Sequence, residues 1–496
     1  MTGVAEDRRS IEAGPAFRLG APSPLDLARR SAELAAALPT AALPLLRGGS
    51  PRQVTRREIG RAIRVVAQRL GGTWVKLGQV LASTPDLVGA DLAEELRPLL
   101  DTSPPVSLGR VEASLARALG CPPAQVFSEL DPRPFGTGSL AVVHRAVTSD
   151  GQLVAVKVLR PGIERSSAAD FVLIGRLLDR FAAVRKAPRQ PFRIILAGLR
   201  EQLTEELDLR QEADYMRRFR RLFASAGLDR IVVPGVLDGL STRRVLTMEF
   251  VDGVAIDDLS AIEALGSDPV PLVEEAVRAW WATVGIEGVF HGDVHAGNLM
   301  FTTDGRLAMI DWGIVGTLGT ENRRFIRSLL EAAAGDAGAW DDAARTLAAG
   351  IPERVRRSPD YDEPRVLGMI KQGLAYALTR PYGEVSLGAL LSGEAFGVDA
   401  DDVRARRAER RARRHQQAAE GGRADEGSRR TGSDAAGPEP STTDDEPQAI
   451  DRDIMLLGKQ LLYFERYGKR YLGHRSVLDD ARFVLDLVRA SEQQPA

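Results

Sequence analysis

A short polar stretch between two apolar runs constrains this 496-residue chain more than any other feature. It holds His291, Asp293 and Asn298 in the pattern H-x-D-x-x-x-x-N, and Asp311 follows eighteen residues after Asp293. In a chain with five histidines and two asparagines, this spacing arises by chance at roughly one part in a thousand. Phosphoryl transfer needs one carboxylate to orient or deprotonate the attacking hydroxyl, and a second carboxylate and an amide oxygen to hold Mg²⁺ on the nucleotide phosphates. The pattern therefore predicts Asp293 as the base, with Asn298 and Asp311 as metal ligands.

A lysine inside an apolar, strand-like segment is a second candidate contact for the nucleotide. Six lysines occur in the chain, and one of them ends the run Val154-Ala155-Val156-Lys157. A buried ammonium needs an anionic partner, and a kinase-type lysine in this setting binds phosphates and pairs with a helical carboxylate. We therefore predict that Lys157 and Ala155 contact a nucleotide. The helix-like segment 201–215 offers Glu206, Asp208 and Glu212 as partners, and spacing alone does not choose among them.

Two further segments are assigned to the nucleotide from their order along the chain. A glycine-bearing turn precedes Lys157, and its backbone N–H groups are predicted to face phosphates; the residues are Gly136, Thr137, Gly138 and Ser139. The run 248–253 ends the last long strand-like segment. Its backbone at Glu249 and Val251 is predicted to contact adenine.

The order of the local patterns predicts an α+β fold, with strands first and helices after them. Residues 135–159 alternate in polarity and break at Ser149-Asp150-Gly151, which is typical of a β-hairpin. Residues 231–240 and 243–251 are predicted as two further strands. Apolar residues recur at helical spacing in three regions, which are 56–119, 168–223 and most of the chain after 253.

Composition narrows the classes of partner and compartment. Sixty-six basic and 68 acidic residues give a net charge of −2, so no overall field favours nucleic acid. The single cysteine, Cys121, excludes an intrachain disulfide and fits a reducing compartment. No run of about 18 apolar residues and no secretory leader is found, so we predict a cytoplasmic protein that is at most peripheral to a membrane.

Residues 404–449 contain no large apolar side chain, which predicts a disordered insertion, because such a segment cannot bury enough surface to offset its ordering entropy. Seven arginines lie between Arg404 and Arg414, a local basic cluster of the kind that binds nucleic acid or lipid phosphates. A solvated helix extension and linker is the simpler interpretation.

These residues resemble the UbiB/AarF-like atypical kinase family. The motif K-x-G-Q, specific to that family, is matched by Lys76, Gly78 and Gln79, and the catalytic loop and Asp311 match as well. The resemblance implies a bilobal protein-kinase-like fold whose N-terminal helical extension covers the nucleotide site, which gives Lys76 and Gln79 a catalytic role. It also implies that the motif E-x-D, at Glu206 and Asp208, faces K-x-G-Q and leaves Glu212 for Lys157.

The resemblance and the local patterns together predict the organisation of the chain. The predicted segments are a poorly ordered stretch at 1–50 that becomes helical, a K-x-G-Q extension at 51–130, a kinase-like N-lobe at 131–252, a C-lobe at 253–400, the disordered insertion at 401–449, and C-terminal helices at 450–496. The chain departs from the family in its glycine-bearing rather than alanine-rich phosphate loop, and in Trp312 where most members have Phe. The first departure leaves the nucleotide preference open.

The predicted cofactors are ATP and Mg²⁺, and the predicted activity is ATP hydrolysis or phosphorylation of a small or lipid-like substrate, in support of isoprenoid-quinone or related lipid metabolism. Partners in a membrane or among lipid-modifying enzymes are compatible with this activity. Protein phosphorylation is disfavoured, since Gly292 stands where an activation-loop kinase has arginine. Two alternatives stay open: a small-molecule kinase of the aminoglycoside phosphotransferase type, and a nucleotide-responsive pseudokinase scaffold.

Overall fold

The computed structural model of the chain describes residues 17–46, 55–82, 88–99, 106–185, 190–266, 268–351, 353–358, 361–384 and 452–493. The predicted disordered insertion at 401–449 lies outside these residues. Helices within them are α1 Pro24–Leu46, α2 Arg56–Leu70, α3 Thr73–Ala82, α4 Ala90–Leu96, α5 Leu108–Leu119, α6 Ile163–Arg185, α7 Gln190–Glu206, α8 Leu209–Ser225, α9 Leu259–Ala264, α10 Pro269–Glu287, α11 Thr320–Ala333, α12 Ala339–Ala349, α13 Glu353–Arg356, α14 Glu363–Thr379, α15 Arg452–Tyr471 and α16 Ala481–Gln493.

The strands are shorter than the helices and lie between them. They are β1 Phe127–Leu130, β2 Gly136–Thr137, β3 Ala141–Thr148, β4 Leu153–Leu159, β5 Ile231–Val232, β6 Val245–Glu249, β7 Gly253–Ala255, β8 Val289–His291, β9 Leu299–Thr302, β10 Leu307–Met309 and β11 Val315–Thr317. The predicted α+β content is confirmed. The predicted strand 231–240 is interrupted after Val232, since Pro234 has no N–H to donate to a sheet, and beyond it only an isolated bridge from Val236 to Met248 remains.

Two compact units make up the chain. The first contains residues 1–221, 233–253 and 308–314, and the second contains residues 222–232, 254–307 and 315–496. The predicted Lys157, Glu212 and Asp311 fall in the first unit, whereas Asp293 and Asn298 fall in the second. The domain boundaries proposed from the sequence stay predictions.

The first unit contains an antiparallel sheet in the order β1-β3-β4-β6, with β2 paired to β3. The hairpin predicted around Ser149-Asp150-Gly151 is confirmed, because β3 and β4 pair from Ala141↔Leu159 to Val147↔Leu153. Strand β4 also pairs with β6, and this register sets Lys157 opposite Leu246. One face of the sheet packs with α5 in an apolar core that includes Val111, Leu115 and Val156.

The N-terminal helices form a second apolar core within the same unit, in which Val75, Leu96 and Leu99 are fully buried. Residues 24–46 of this unit form helix α1, which has a buried anchor. Arg30 of α1 donates to both carboxylate oxygens of Asp170, from Nε at 2.6 Å and from Nη2 at 2.9 Å. Burial raises the pKa of Asp170, and this paired arginine offsets part of that effect.

The second unit is built around α10, whose Trp280 is buried against Phe290 of β8 and Phe464 of α15. Strand β8 leads into the predicted catalytic loop and pairs antiparallel with β11. Helix α16 packs on α10 and α11, and its Val484 and Val488 approach Gly285. Among the described residues, no helix combines the length and the apolar character needed to cross a bilayer.

Candidate active site

Lys157 lies between two carboxylates in the first unit. Its Nζ donates to Glu212 Oε1 and Oε2 at 2.7 and 2.8 Å, and to Asp311 Oδ1 at 3.2 Å. The sequence left Glu206, Asp208 and Glu212 open as partners, and the lysine pairs with Glu212 of α8. Glu212 is 4% exposed, whereas Asp311 is 46% exposed, so Asp311 is the carboxylate of this cluster that solvent reaches.

The charges in this cluster perturb one another. The net pKa of Glu212 is raised to about 7. Burial is the largest cause of this rise and the negative charge of Asp311 adds to it, whereas the positive charge of Lys157 acts in the opposite direction. Burial alone would lower the pKa of Lys157, but the charges of Asp311 and Glu212 outweigh burial and raise that pKa above its usual value. When both carboxylates are ionised, the two carboxylates and one ammonium carry a net charge of −1, which favours the uptake of a further cation.

The K-x-G-Q motif lies on α3 and is joined to α7. Lys76 Nζ pairs with Glu206 Oε1 at 2.7 Å, and both side chains are 15% exposed. Gln79 donates to the carbonyl oxygen of Leu99 at 2.9 Å. A Cβ atom at Gly78 would lie 2.3 Å from Leu99 Cδ1, which explains why the motif carries glycine. The first acid of E-x-D, Glu206, therefore contacts K-x-G-Q directly through its ion pair with Lys76.

The second acid of E-x-D has a different role from the first. The segment 201–215 was predicted as one helix, but it is interrupted between α7 and α8, so Asp208 lies in the break. Its carboxylate accepts from the Arg210 backbone N–H at 3.2 Å and from the Arg210 guanidinium at 2.9 and 2.6 Å. Asp208 thus caps the first turn of α8, the helix that carries Glu212.

The predicted catalytic loop follows β8 in the second unit. The Asp293 backbone N–H donates to His291 Nδ1 at 3.0 Å, and the Asn298 side-chain amide donates to the Asp293 carbonyl at 3.0 Å. His291 and Asn298 are buried, whereas the Asp293 side chain is 22% exposed. His291 and Asn298 therefore fix the conformation of the loop through their hydrogen bonds. The carboxylate of Asp293 stays partly accessible to solvent.

Three residues of α15 contact this loop and were not predicted as site residues; besides Lys459 and Gln460, the Tyr467 hydroxyl donates to the Val294 carbonyl at 3.0 Å. Lys459 Nζ lies 2.7 Å from Asp293 Oδ1. Gln460 is fully buried, accepts from the Val294 backbone N–H at 2.9 Å and donates to the Gly292 carbonyl at 2.5 Å. The small number of lysines, six in the whole chain, is a signal in the sequence that could have singled out Lys459.

The glycine-bearing turn is held by backbone pairing. Gly136 and Thr137 pair with Val143 and Val142, and the Gly138 N–H donates to the Ala141 carbonyl at 2.9 Å. Neither Gly136 nor Gly138 has a positive φ. These two glycines therefore provide backbone without a side chain, and neither is required for a left-handed conformation. The predicted phosphate contacts of this turn, including Ser139, stay predictions.

The predicted adenine contacts are part of the sheet of the first unit or follow it directly. Ala155 is buried on β4, opposite Met248. The Glu249 side chain at the end of β6 accepts from the Gly235 N–H at 2.7 Å and from Arg220 at 3.0 Å. Val251 follows β6. The side chain of Glu249 is thus occupied within the protein, and its backbone is the part still assigned to a nucleotide by prediction.

Trp312, which follows Asp311, is closely packed within the first unit. It is fully buried, its Nε1 donates to the Met309 carbonyl at 2.9 Å, and its ring lies 4.3 Å from that of Phe219. A buried indole needs such a partner for its N–H. The adjacent Asp311 is fixed from the other side by the Gly313 backbone N–H at 3.0 Å.

The predicted metal ligands present the oxygen atoms that Mg²⁺ prefers. Asp311 contributes an accessible carboxylate. Because the Asn298 amide nitrogen is committed to Asp293, its amide oxygen is the atom left to bind a cation. Both donor types fit a hard divalent ion, and the Lys157 ammonium fits the phosphates of a nucleotide.

Comparison with known proteins agrees with the family expectation. Residues 98–339 match the profile of the ABC1 atypical kinase-like domain. An uncharacterized protein of Mycobacterium tuberculosis is 38% identical over 264 residues, which cover 53% of this chain and 54% of that protein. An uncharacterized chloroplastic aarF domain-containing protein kinase of Arabidopsis thaliana is 36% identical over 260 residues, which cover 52% of this chain and 48% of that protein.

A third relative carries a more specific name. The probable protein kinase UbiB of Marinobacter nauticus is 34% identical over 279 residues, which cover 55% of this chain and 50% of that protein. The chain thus spans about half the length of the curated relatives it matches. The predicted kinase-like fold class is confirmed. Residues 98–339 match the ABC1 atypical kinase-like domain, and the resemblance of the chain to the UbiB/AarF-like atypical kinases is thereby confirmed.

Proposed function

We propose that this chain binds Mg–ATP and either hydrolyses it or transfers its γ-phosphoryl group to a small or lipid-like acceptor, in support of isoprenoid-quinone or related lipid metabolism. The observation that carries the proposal is the Lys157–Glu212–Asp311 cluster, in which a buried ammonium is bound by a buried carboxylate and an accessible one. This is the arrangement that a kinase uses to hold phosphates and metal. The link to quinones is what the resemblance to the UbiB/AarF-like kinases implies, and one relative carries the name UbiB.

Each predicted residue has a role in this reaction. Lys157 binds phosphate oxygens, while Asp311 and Asn298 are the ligands for Mg²⁺, which neutralises charge on the phosphates when bound. The oxygen of an acceptor hydroxyl or of a water attacks the γ-phosphorus, and the bond from that phosphorus to the departing ADP oxygen breaks. Asp293 accepts the proton that the attacking hydroxyl or water loses. Lys459 holds the Asp293 carboxylate in place. Lys76 and Gln79 hold α3 against Glu206 and Leu99.

Equilibrium binding of Mg–ATP to the full chain tests the proposal. We expect the wild type to bind Mg–ATP and Asp311→Asn to lose most of that binding, since a neutral amide is a weaker ligand for the metal. Asp304→Asn, at an exposed aspartate in the turn after β9, is the matched control. No binding by the wild type, or equal binding and turnover by Asp311→Asn, would overturn the proposal.

Single-turnover measurements separate chemistry from a nucleotide-responsive scaffold. If Asp293→Asn keeps Mg–ATP binding but loses phosphoryl transfer and biological complementation, the reaction is the function. Full complementation by that variant would instead favour the scaffold. The aminoglycoside-type alternative predicts that Lys76→Ala leaves turnover unchanged. The Lys76–Glu206 pair supports the opposite expectation. Quantifying quinones in a knockout strain tests the metabolic assignment.

A further inference from the structure

A cavity of about 530 Å³ in the first unit has a strongly basic lining. Seven of its nineteen lining residues are arginines and two are carboxylates, so the lining carries a formal charge of +5. The first turns of α1 and α6, part of α5, and the Gly71-Gly72 link before α3 form its wall. None of the residues assigned to the nucleotide, the metal or the catalytic loop lines it.

The positive charge of this cavity is only partly neutralised within the protein. Arg29 pairs with Glu33, and Arg30 pairs with Glu33 and Asp170. The remaining carboxylate of the lining, Asp26, accepts from the Ser23 hydroxyl. Four lining arginines have no carboxylate within 4.0 Å among the described residues; they are Arg69, Arg110, Arg117 and Arg165. Like charges gathered around a concavity raise the local positive potential, which favours an anion.

Two helix starts add to this potential. Helix α6 begins at Ile163, and Gly162, Ile163 and Arg165 all line the cavity. Helix α3 begins at Thr73, directly after the lining residues Gly71 and Gly72. The N-terminal end of a helix carries partial positive charge and exposes backbone N–H groups, so it favours phosphate. Helix ends and guanidinium groups thus act in the same direction.

We propose that this cavity is a binding site for a soluble phosphate ester or polyphosphate, distinct from the site assigned to Mg–ATP. A guanidinium group can donate two parallel hydrogen bonds to two oxygens of one phosphate. The cavity volume suits a phosphorylated small molecule. Its lining is mainly charged residues and glycine, with few apolar side chains to hold an acyl chain, which favours a soluble ligand over a lipid tail.

The same cavity is linked to two elements of the proposed nucleotide site, and this step rests on the proposed function. Arg160 lines the cavity, and it holds the glycine-bearing turn with its Nε on the Gly138 carbonyl at 2.9 Å and its backbone N–H on the Leu140 carbonyl at 2.8 Å. Gly72 also lines the cavity and leads directly into α3, which carries Lys76. A phosphate bound here would therefore alter ATP turnover as an effector.

Calorimetric titration of the full chain with pyrophosphate, without nucleotide, tests the binding step. We expect saturable binding that Arg110→Gln/Arg165→Gln weakens by about tenfold or more, because two charge-assisted contacts are lost. Both arginines are exposed, so the variant should fold, which thermal melts will check. Arg133→Gln, at an exposed arginine outside the cavity, should bind like the wild type. Absence of binding, or equal affinity of the double variant and the wild type, would overturn the site.

Two further arms complete the test. Sedimentation with phosphatidylglycerol or phosphatidylcholine vesicles distinguishes a soluble phosphate from a lipid headgroup: vesicle binding that needs Arg110 and Arg165, without pyrophosphate binding, would refute the soluble ligand. Measuring ATP turnover with and without pyrophosphate tests the effector role. Equal rates would refute that role. If the chain fails to bind ATP, the proposed function is lost, but the pyrophosphate titration still decides whether the cavity is a binding site.

Discussion

Lys459 Nζ lies 2.7 Å from Asp293 Oδ1, although 166 residues separate the two in the chain. The C-terminal helix α15 thus places a positive charge on the predicted catalytic base. Within the predicted loop, His295 Nε2 lies 3.6 Å from Asp293 Oδ2. Lys459 therefore supplies a fixed charge to Asp293 that the loop itself does not contain. We infer that α15 is part of the catalytic apparatus and not only a support for it.

Lys459→Met tests this relationship. The substitution keeps the length of the side chain but removes the charge that holds Asp293, so we expect kcat for ATP turnover to fall by about tenfold or more while KM for ATP changes less. Lys469→Met is the matched control, because Lys469 lies on the same helix and pairs with Glu465. Equal turnover by the two variants would contradict a role for Lys459.

Gln460 connects the same helix to the loop backbone. Gln460→Met leaves the buried Val294 N–H and Gly292 carbonyl without their side-chain partner. Each loss costs about 1–3 kcal/mol when the group stays buried. We expect a lower free energy of unfolding by urea titration and a lower kcat. Gln68→Met, at an exposed position on α2, should change neither; a Gln460 variant with wild-type kcat would refute the positioning role.

The sequence predicts local chemistry better than long-range contacts. The strand with Lys157, the hairpin and the H-x-D-x-x-x-x-N loop all depend on neighbouring residues, and their spacing was enough to identify them. The contacts of Lys459 and Gln460 with the loop depend on where α15 packs, which no local pattern encodes. The break at Asp208 was missed because it depends on a side-chain cap, in which the Asp208 carboxylate accepts from the Arg210 backbone N–H.

The Lys76–Glu206 pair should show measurable coupling. Both side chains are 15% exposed, so removing one leaves the other charge poorly solvated. We expect Lys76→Met to cost about 1–3 kcal/mol of unfolding free energy, and Lys76→Met/Glu206→Gln to cost less than the sum of the single changes. The same double-mutant cycle on the exposed Arg97–Glu94 pair should give a coupling free energy near zero. Additive single changes at Lys76 and Glu206 would show that the pair is not an energetic unit.

Glu212 should make stability depend on pH in a direction opposite to that of an ordinary salt-bridged carboxylate. Its pKa in the folded chain is about 7, above the usual 4.5, so the folded state binds more protons than the unfolded state between these values. The stabilisation from this group is complete below pH 4.5 and is lost as pH rises through 7. Within this interval the free energy of unfolding should fall by at most about 1.4 kcal/mol per pH unit, the slope for a difference of one bound proton.

Urea unfolding of the wild type and Glu212→Gln between pH 5 and 8 isolates this contribution, because other carboxylates titrate in both proteins. The stability of the wild type relative to the variant should decline as pH rises through that window. Glu112→Gln, an exposed substitution on α5, controls for the chemical change itself. A difference between wild type and Glu212→Gln that stays constant with pH, or grows with it, would mean that Glu212 is already ionised at pH 5, and that the Lys157–Glu212–Asp311 cluster does not exchange a proton near neutrality.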